Sequence, residues 1–194
     1  MDYSKYLDAH RESGSDVTLS VLPVSREDAG RFGILKMNET GWIEDFAEKP
    51  QEPAKLERLV SRPGSEQPYL ASMGIYLFKI DALRRLLDEV PENDFGKNII
   101  PAAIQEGRVY AHTFEGYWED IGTMESFYQA NLMLTQENPP FDFYDPRHPI
   151  YTHSRFLPSS RIDDCHIERV VVADGCRIYN ADVARCVIGL RSMI

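Results

Sequence analysis

Residues 109–134, V-Y-A-H-T-F-E-G-Y-W-E-D-I-G-T-M-E-S-F-Y-Q-A-N-L-M-L, predict the class of fold. The β-branched and aromatic residues at the start of this stretch are typical of a strand, and the apolar spacing at its end is typical of a partly amphipathic helix. Thr123 is a suitable helix N-cap, and Gly122 allows a sharp turn before it. A strand followed by a turn and a helix indicates an α/β protein, in which ligands bind beyond the strand ends.

Two adjacent carboxylates, Glu119 and Asp120, lie in this turn. Carboxylate oxygens suit Mg²⁺, which takes a few such ligands and leaves room for substrate phosphates. Acidic residues are also common before helices for electrostatic reasons. On the pattern alone, a metal site and a purely structural role, with Asp120 supporting the turn and Trp118 filling the core, are equal alternatives.

The composition restricts the classes of partner. The chain of 194 residues carries a net charge of −10, so its surface as a whole does not attract nucleic acid or an anionic membrane. A phosphate ligand must therefore be bound by local Lys or Arg side chains. No apolar run reaches the length of a membrane span, and the first residues, M-D-Y-S-K, do not begin a secretory signal.

The cysteines and histidines indicate the compartment. Cys165, Cys176 and Cys186 form no C-x-x-C pair and leave an odd count. This pattern favours a reduced, cytoplasmic setting over a disulfide framework. The five histidines are scattered and show no zinc-like spacing.

Local patterns predict the other elements of the N-terminal part. Helices are expected at residues 3–11, 81–90 and from 94 onward, strands at 16–24 and 69–78, and a hairpin at 31–47 with the loop N-E-T. Asp81 is expected to cap the second helix. Gly74 lies inside a predicted strand, which often marks the close approach of a ligand or another backbone.

The C-terminal part has a different pattern. Five of the twelve prolines fall between Pro139 and Pro158, among aromatic residues, which predicts a linker packed on the surface. Aliphatic residues then recur every five or six positions: Ile162, Ile167, Val172, Ile178, Val183, Ile188 and Ile194. This period is that of hexapeptide β-helices, in which short strands stack around an apolar interior. The three cysteines are then small interior residues rather than ligands or catalysts.

Five motifs occur in one order along the chain: R-F-G (31–33), D-F-A-E-K-P (45–50), A-S-M-G-I-Y (71–76), D-F-G-K (94–97) and Y-W-E-D-I-G-T (117–123). With the Pro-rich connector and the β-helix, this set resembles the bacterial glucose-1-phosphate adenylyltransferases (ADP-glucose pyrophosphorylases) over essentially the whole chain. The resemblance implies an α/β fold, the C-terminal part of a doubly wound nucleotidyltransferase domain, followed by the start of a left-handed parallel β-helix. The implied division is residues 1–134 for sugar-phosphate binding, 135–160 for the linker and 161–194 for the β-helix.

The resemblance also implies a reaction. ATP and α-D-glucose 1-phosphate would give ADP-glucose and pyrophosphate, with Mg²⁺ as cofactor, in cytoplasmic glycogen biosynthesis. The implied assembly is an allosterically controlled homo-oligomer, a tetramer, with no nucleic-acid or membrane partner. Such phosphoryl transfer depends on positioning and electrostatics.

Residue roles follow from the same resemblance. Asp120 is similar to the family's Mg²⁺ ligand, and Lys49 to the lysine that binds the sugar phosphate; these two are the expected catalytic residues. The expected substrate-binding residues are Glu48, Lys49, Ser72, Gly74, Asp94, Lys97 and Glu119. An ammonium suits a phosphate, and a carboxylate can accept hydrogen bonds from two sugar hydroxyls.

The chain lacks several parts that the family has. No glycine-rich phosphate loop occurs in it. The resemblance places that loop, and the aspartate that shares the metal with Asp120, before Met1. It places most of the β-helix after Ile194. The chain is therefore expected to be a fragment that does not catalyse the reaction by itself.

Three alternatives remain open at this point. Another sugar-1-phosphate nucleotidyltransferase would share most of these motifs, and only A-S-M-G and D-F-G-K favour the glucose, ADP-forming branch. A non-catalytic regulatory subunit would be favoured by loss of Lys49 or Asp120, and both are present. A hexapeptide-repeat acyltransferase would need a catalytic histidine, for which His166 is the candidate.

Overall fold

The computed structural model describes residues 3–91, 94–141, 143–147 and 149–194. They form two compact units, Met1–Gly116 and Tyr117–Ile194. Within the described ranges, no helix is long and apolar enough to cross a membrane.

The first unit is a mixed sheet with helices. Its elements are α1 (Tyr3–Ser13), β1 (Val17–Val24), β2 (Gly33–Met37), β3 (Ile43–Glu48), α2 (Pro53–Arg58), β4 (Tyr69–Phe78), α3 (Ile80–Glu89), α4 (Ile100–Gln105) and β5 (Val109–Thr113). A 3₁₀ turn (Ala29–Arg31) precedes β2, and a π-helical turn (Phe95–Ile99) leads into α4. The predicted helices, strands and hairpin are confirmed in type, with ends that shift by a few residues.

The five strands lie in the order β3-β2-β4-β1-β5. Strands β1 and β5 pair in parallel, and the pairs β1–β4, β2–β3 and β2–β4 are antiparallel. Residues 17–21 of β1 are all buried, because the strand has neighbours on both edges and side chains packed on both faces. Such burial explains why β1 consists of apolar and small polar residues without a charged side chain.

The two faces of the sheet carry separate apolar clusters. On one face, Leu19, Val21, Leu35 and Leu70 pack with side chains of α3 and α4. On the other, Ile34, Tyr69 and Ala71 pack with α2 and with Ala29 of the 3₁₀ turn. The alternation of Ile34 and Leu35 along β2 follows from the two-residue period of a strand.

Strand β4 contains a bulge at the glycine that the sequence singled out. Leu19 pairs with Tyr76 but Val21 pairs with Ser72, so four steps along β4 match two along β1. Gly74 lies inside the bulge with φ of 71°, in the left-handed region where a side chain would be strained. The bulge changes the direction of the residues that follow it on β4.

One predicted cap is wrong. The N-cap of α3 is Lys79 and not Asp81, which lies in the first turn. The helix starts earlier than the sequence predicts, because Ile80 already has helical geometry. Asp81 still has a favourable position, since a carboxylate in the first turn complements the helix dipole.

The second unit begins with helix α5 (Met124–Met133). Thr123 is its N-cap as predicted: the Thr123 hydroxyl accepts from the Ser126 amide at 3.1 Å, and the Ser126 hydroxyl accepts from the Thr123 amide at 3.1 Å. Between residues 135 and 160, no helix or strand occurs among the described residues. In this segment Phe141 stacks on Tyr117, whereas Tyr151 is 89% exposed, so the expected packing of the linker is only partial.

The β-helix repeats every sixteen residues. Its strands are β6 (Arg161–Asp163), β7 (His166–Val172), β8 (Arg177–Tyr179) and β9 (Asp182–Ile188). Strand β6 pairs in parallel with β8, and β7 with β9, so that Ile162 lies beside Ile178 and Ile167 beside Val183. The predicted aliphatic positions therefore stack in register.

The interior of this coil contains the cysteines. Cys176, Ile178 and Ile188 are buried, and Cys165 and Cys186 pack against them with other small apolar residues. All three thiols are free. The prediction that the cysteines fill the interior is confirmed.

Candidate functional site

The loop after β3 holds Lys49 in an unusual backbone conformation. Lys49 has φ of 46°, and its amide donates to the Phe32 carbonyl at 3.0 Å. The Gln51 side-chain amide donates to the Gly30 carbonyl at 2.9 Å and to the Lys49 carbonyl at 3.3 Å. These bonds hold a non-glycine residue in the left-handed region, and the exposed Lys49 side chain makes no ion pair with any other described residue. Its ammonium is therefore available to an anionic ligand.

The carboxylate of Glu48 lies between two glycines from different motifs. A Cβ atom placed on Gly33 would lie 2.8 Å from Glu48 Oε2, and one placed on Gly96 would lie 2.9 Å from the same oxygen. Gly33 belongs to R-F-G and Gly96 to D-F-G-K. Three motifs that are far apart in sequence therefore meet at one half-buried carboxylate.

The D-F-G-K motif is explained residue by residue. Asp94 is the N-cap of the π-helical turn, and its Oδ1 accepts from the Lys97 amide at 2.8 Å. Phe95 stacks on Tyr76 with ring centroids 6.1 Å apart and an interplanar angle of 10°. Gly96 leaves space for Glu48. The Lys97 side chain is exposed, and its Nζ lies 3.9 Å from Asp94 Oδ2.

Three of the predicted residues, Ser72, Glu48 and Asp94, influence the hydroxyl of Tyr76. Burial raises the pKa of its hydroxyl, a hydrogen bond with Ser72 opposes that shift, and the charges of Glu48 and Asp94 raise the pKa further. The Tyr76 hydroxyl therefore stays protonated at neutral pH, where it can donate to an oxygen. The Ser72 hydroxyl also accepts from the Gly74 amide at 3.3 Å, which connects this group to the bulge of β4.

The sequence motifs contain Tyr76, Gly33 and Gly96 but predict no role for them. A signal was present for Tyr76 and Gly96, because each lies inside a motif that also contains a predicted site residue, whereas the R-F-G motif of Gly33 contains none. The role of the glycines depends on contacts between strands and a helical turn far apart in sequence, and no local pattern encodes them.

Glu119 and Asp120 lie in the second unit, in the segment before α5. A Cβ on Gly122 would lie 3.2 Å from Asp120 Oδ1, so the glycine leaves room for this carboxylate. Tyr117 stacks on Phe141 at 5.8 Å, and burial, then the charge of Glu119, raises the pKa of the Tyr117 hydroxyl. Glu119 is exposed, and Asp120 is half-buried.

The donor chemistry of this segment fits Mg²⁺ only in part. Within the part of the chain that the structure describes, no group of three His, Cys, Asp or Glu side chains could hold a metal ion. Mg²⁺ in nucleotide-dependent sites is bound by one or two carboxylates together with phosphate oxygens and water. Asp120 and its neighbour Glu119 provide carboxylates of that kind, and other ligands would have to come from substrate.

Comparison with known families agrees with this geometry. The nucleotidyl transferase family model matches residues 1–137, more than half of the 194-residue chain, so the chain belongs to the nucleotidyl transferase family. Residues 155–194 match the GLGC left-handed parallel β-helix domain. These two matches, in this order, are those of a glucose-1-phosphate adenylyltransferase-like protein, and they confirm the predicted fold class.

Proposed function

We propose that the chain belongs to a glucose-1-phosphate adenylyltransferase that forms ADP-glucose and pyrophosphate from ATP and α-D-glucose 1-phosphate. In this reaction an oxygen of the sugar phosphate forms a bond to the α-phosphorus of ATP, and the bond from that phosphorus to the pyrophosphate oxygen breaks. The proposed setting is cytoplasmic glycogen synthesis, and the proposed assembly is a homo-tetramer under allosteric control.

The convergence of Glu48, Ser72, Asp94 and Tyr76 is the observation that carries the proposal. The Glu48 and Asp94 carboxylates both lie beside Gly96, and the Tyr76 ring stacks on the neighbouring Phe95. Carboxylate and hydroxyl groups of this kind can accept from and donate to several sugar hydroxyls. The exposed ammonium of Lys49 follows Glu48 directly in the chain. A ligand that combines a neutral polyol with an anion, such as a sugar phosphate, matches this combination of groups.

Each residue has a proposed role. Lys49 binds the phosphate of glucose 1-phosphate and offsets the charge of the transition state. Glu48 accepts from sugar hydroxyls, and Ser72, Gly74 and Asp94 contact the glucose.

Two of the predicted residues have weaker support. Lys97 contributes its amide to the cap of Asp94, and its exposed ammonium is proposed to reach the substrate. Glu119 is proposed to contact substrate beside Asp120, which is the proposed Mg²⁺ ligand. Bound Mg²⁺ would neutralise charge on the phosphate oxygens.

The three segments with proposed roles have the boundaries predicted from the sequence. Residues 1–134 bind the sugar phosphate, residues 135–160 connect, and residues 161–194 begin the β-helix used for assembly. The match to the GLGC β-helix domain supports the ADP-glucose branch over other sugar nucleotidyltransferases.

Calorimetric titration of the chain with glucose 1-phosphate tests the proposal. Replacing Lys49 with Met removes the charge and keeps much of the side-chain volume, and we expect the Kd to rise about 10- to 100-fold, the loss of a charge-assisted hydrogen bond. Lys5→Met, on the exposed face of α1, is the matched control and should leave the Kd unchanged.

Two results would contradict the proposal. An unchanged Kd in Lys49→Met would remove the phosphate role of this residue. Tighter binding of galactose 1-phosphate or N-acetylglucosamine 1-phosphate than of glucose 1-phosphate would assign the site to another sugar nucleotidyltransferase.

A further inference from the structure

The atoms nearest to the missing side chain of Gly96 belong to the carboxylate of Glu48. The nearest heavy atoms to a Cβ built on Gly96 are Glu48 Oε2 at 2.9 Å, Glu48 Cδ at 3.2 Å and Asp94 Oδ1 at 3.6 Å. The first distance is shorter than carbon and oxygen atoms tolerate without a bond. A methyl group at Gly96 would therefore have to displace the end of the Glu48 side chain.

The backbone at Gly96 gives no other reason for a glycine. The residues with positive φ do not include Gly96, which lies inside a helical turn that any L-residue can adopt. Glycine in a helix is less favourable than alanine, so local stability alone would select alanine here. The missing methyl group must therefore be explained by what occupies its space, and that is the Glu48 carboxylate.

The turn that carries Gly96 cannot easily move away. Asp94 caps it through the Lys97 amide at 2.8 Å, and Phe95 stacks on Tyr76. A Cβ atom built on Gly33 would likewise lie 2.8 Å from Glu48 Oε2. The carboxylate is thus held between two backbone segments whose positions are fixed by other contacts.

We propose that Gly96 is a positioning residue that determines where the Glu48 carboxylate lies in the sugar-binding site. This inference rests on the proposed role of Glu48 in binding sugar hydroxyls. The glycine allows Glu48 Oε2 to stay beside the turn, where the carboxylate can accept from the ligand. A methyl group at this position turns the carboxylate away and covers one side of it.

The test uses Gly96→Ala, Glu48→Ala and the double variant of the full chain, with glucose 1-phosphate as the probe in calorimetric titration. We expect Glu48→Ala to raise the Kd about 10- to 100-fold and Gly96→Ala to raise it about 5- to 10-fold. In the Glu48→Ala background, Gly96→Ala should have no further effect, because the residue acts through Glu48.

Stability separates this role from a structural one. The Tm of Gly96→Ala should be unchanged or up to about 3 °C higher, because alanine favours the helical turn and displaces only the end of a flexible side chain. Gly189→Ala, where a Cβ meets no atom within 4 Å, is the matched control and should change neither the Tm nor the Kd. Gly33→Ala is unsuitable, since its Cβ would also lie 2.6 Å from the Phe46 ring.

The outcomes distinguish the two proposals. If Glu48→Ala binds normally, or the wild-type chain does not bind glucose 1-phosphate, the proposed function of Glu48 is wrong. If Glu48→Ala weakens binding but Gly96→Ala does not, or weakens it equally in both backgrounds, only the positioning role is wrong. A crystal structure of Gly96→Ala gives a ligand-independent answer, because an unmoved Glu48 carboxylate also overturns the inference.

Discussion

The two units bury their apolar side chains in different ways. The sheet unit has two clusters, one on each face, that contain large side chains such as Leu19, Leu70 and Tyr69. In the β-helix, the buried part of the apolar cluster is small and consists of Cys176, Ile178 and Ile188. A sheet covered on both faces excludes water broadly, whereas a short coil stacks only a few residues from each turn.

The units also differ in where the backbone is left-handed. In the described part of the sheet unit, glycines occupy these positions apart from Lys49. In the β-helix, non-glycine residues occupy five of the six left-handed corners, which recur at sixteen-residue intervals: Asp164 and Asn180, Arg169 and Arg185, and Arg191, whose counterpart is Gly175. Because these left-handed residues recur in each turn of the coil, their backbone strain is a consequence of the β-helix fold. The left-handed conformation of Lys49 belongs to no such repeat. Isolated backbone strain of this kind is typical of functional residues.

The largest expected effect tests the difference between the cores. Leu19→Ala should lower the free energy of unfolding by about 3–5 kcal/mol, and Ile178→Ala should lower it by about 2–4 kcal/mol. The smaller loss is expected in the β-helix because its small cluster can collapse more easily around the cavity. The two tryptophans, Trp42 and Trp118, lie in different units and report on each by fluorescence during urea unfolding. Variants with one tryptophan replaced by Phe isolate each signal. A greater loss for Ile178→Ala would reverse the comparison.

A smaller effect tests the left-handed residues. Arg185→Gly and Lys49→Gly should each raise stability by about 0.5–1 kcal/mol, since glycine relieves the strain but has greater freedom in the unfolded chain. Lys49→Gly should also weaken glucose 1-phosphate binding, whereas Arg185→Gly should not. Lys49→Ala is the control, because it removes the ammonium and keeps the strain. A glycine variant that is less stable than the alanine variant at residue 49 would show that the backbone there is unstrained, because only the greater freedom of glycine in the unfolded chain would then remain.

The smallest effect concerns pH and belongs to the sheet unit. Burial, then the nearby Lys79 charge, lowers the pKa of His10, while Asp16 opposes the shift; His10 Nδ1 lies 2.7 Å from Thr18 Oγ1. The folded chain therefore resists a proton that the unfolded chain accepts. The contribution of neutral His10 to the free energy of unfolding is complete above about pH 6.5, and it is lost as the pH falls toward the lowered pKa of the folded chain.

The expected loss attributable to His10 is below about 1 kcal/mol between pH 7 and pH 6. Urea unfolding followed by Trp42 fluorescence at several pH values measures it, and His10→Gln should flatten the profile. Burial also lowers the pKa of His112 in the same unit, so His112→Gln serves as the comparison variant. A profile that stays the same in both variants would exclude the histidines as its cause.

Much of the secondary structure could be predicted because it is encoded locally. The strand expected at residues 69–78 has those bounds, and Thr123 caps α5 as its sequence indicates. The period of the aliphatic residues predicted stacking, because each rung of a β-helix must point one apolar side chain inward. The cap expected at Asp81 was wrong, since cap position depends on one residue's backbone angles.

The candidate site was predictable only as a set of residues. Glu48, Ser72 and Asp94 could be chosen from motifs, but their meeting at Tyr76 depends on the pairing of β2 with β3 and β4 and on the bulge at Gly74. Such pairings join residues far apart in the chain. Pattern analysis within a short window does not contain that information.

The sequence by itself determined the order of the elements, the five- or six-residue period of the β-helix and the identity of the family, because periodicity, caps and ordered motifs are local properties. Only the tertiary structure decided that Gly33 and Gly96 flank the Glu48 carboxylate and that Lys49 has a left-handed backbone. The physical reason is that close approach between distant segments is set by the packing of the whole sheet unit, where a single methyl group is enough to change the position of a carboxylate.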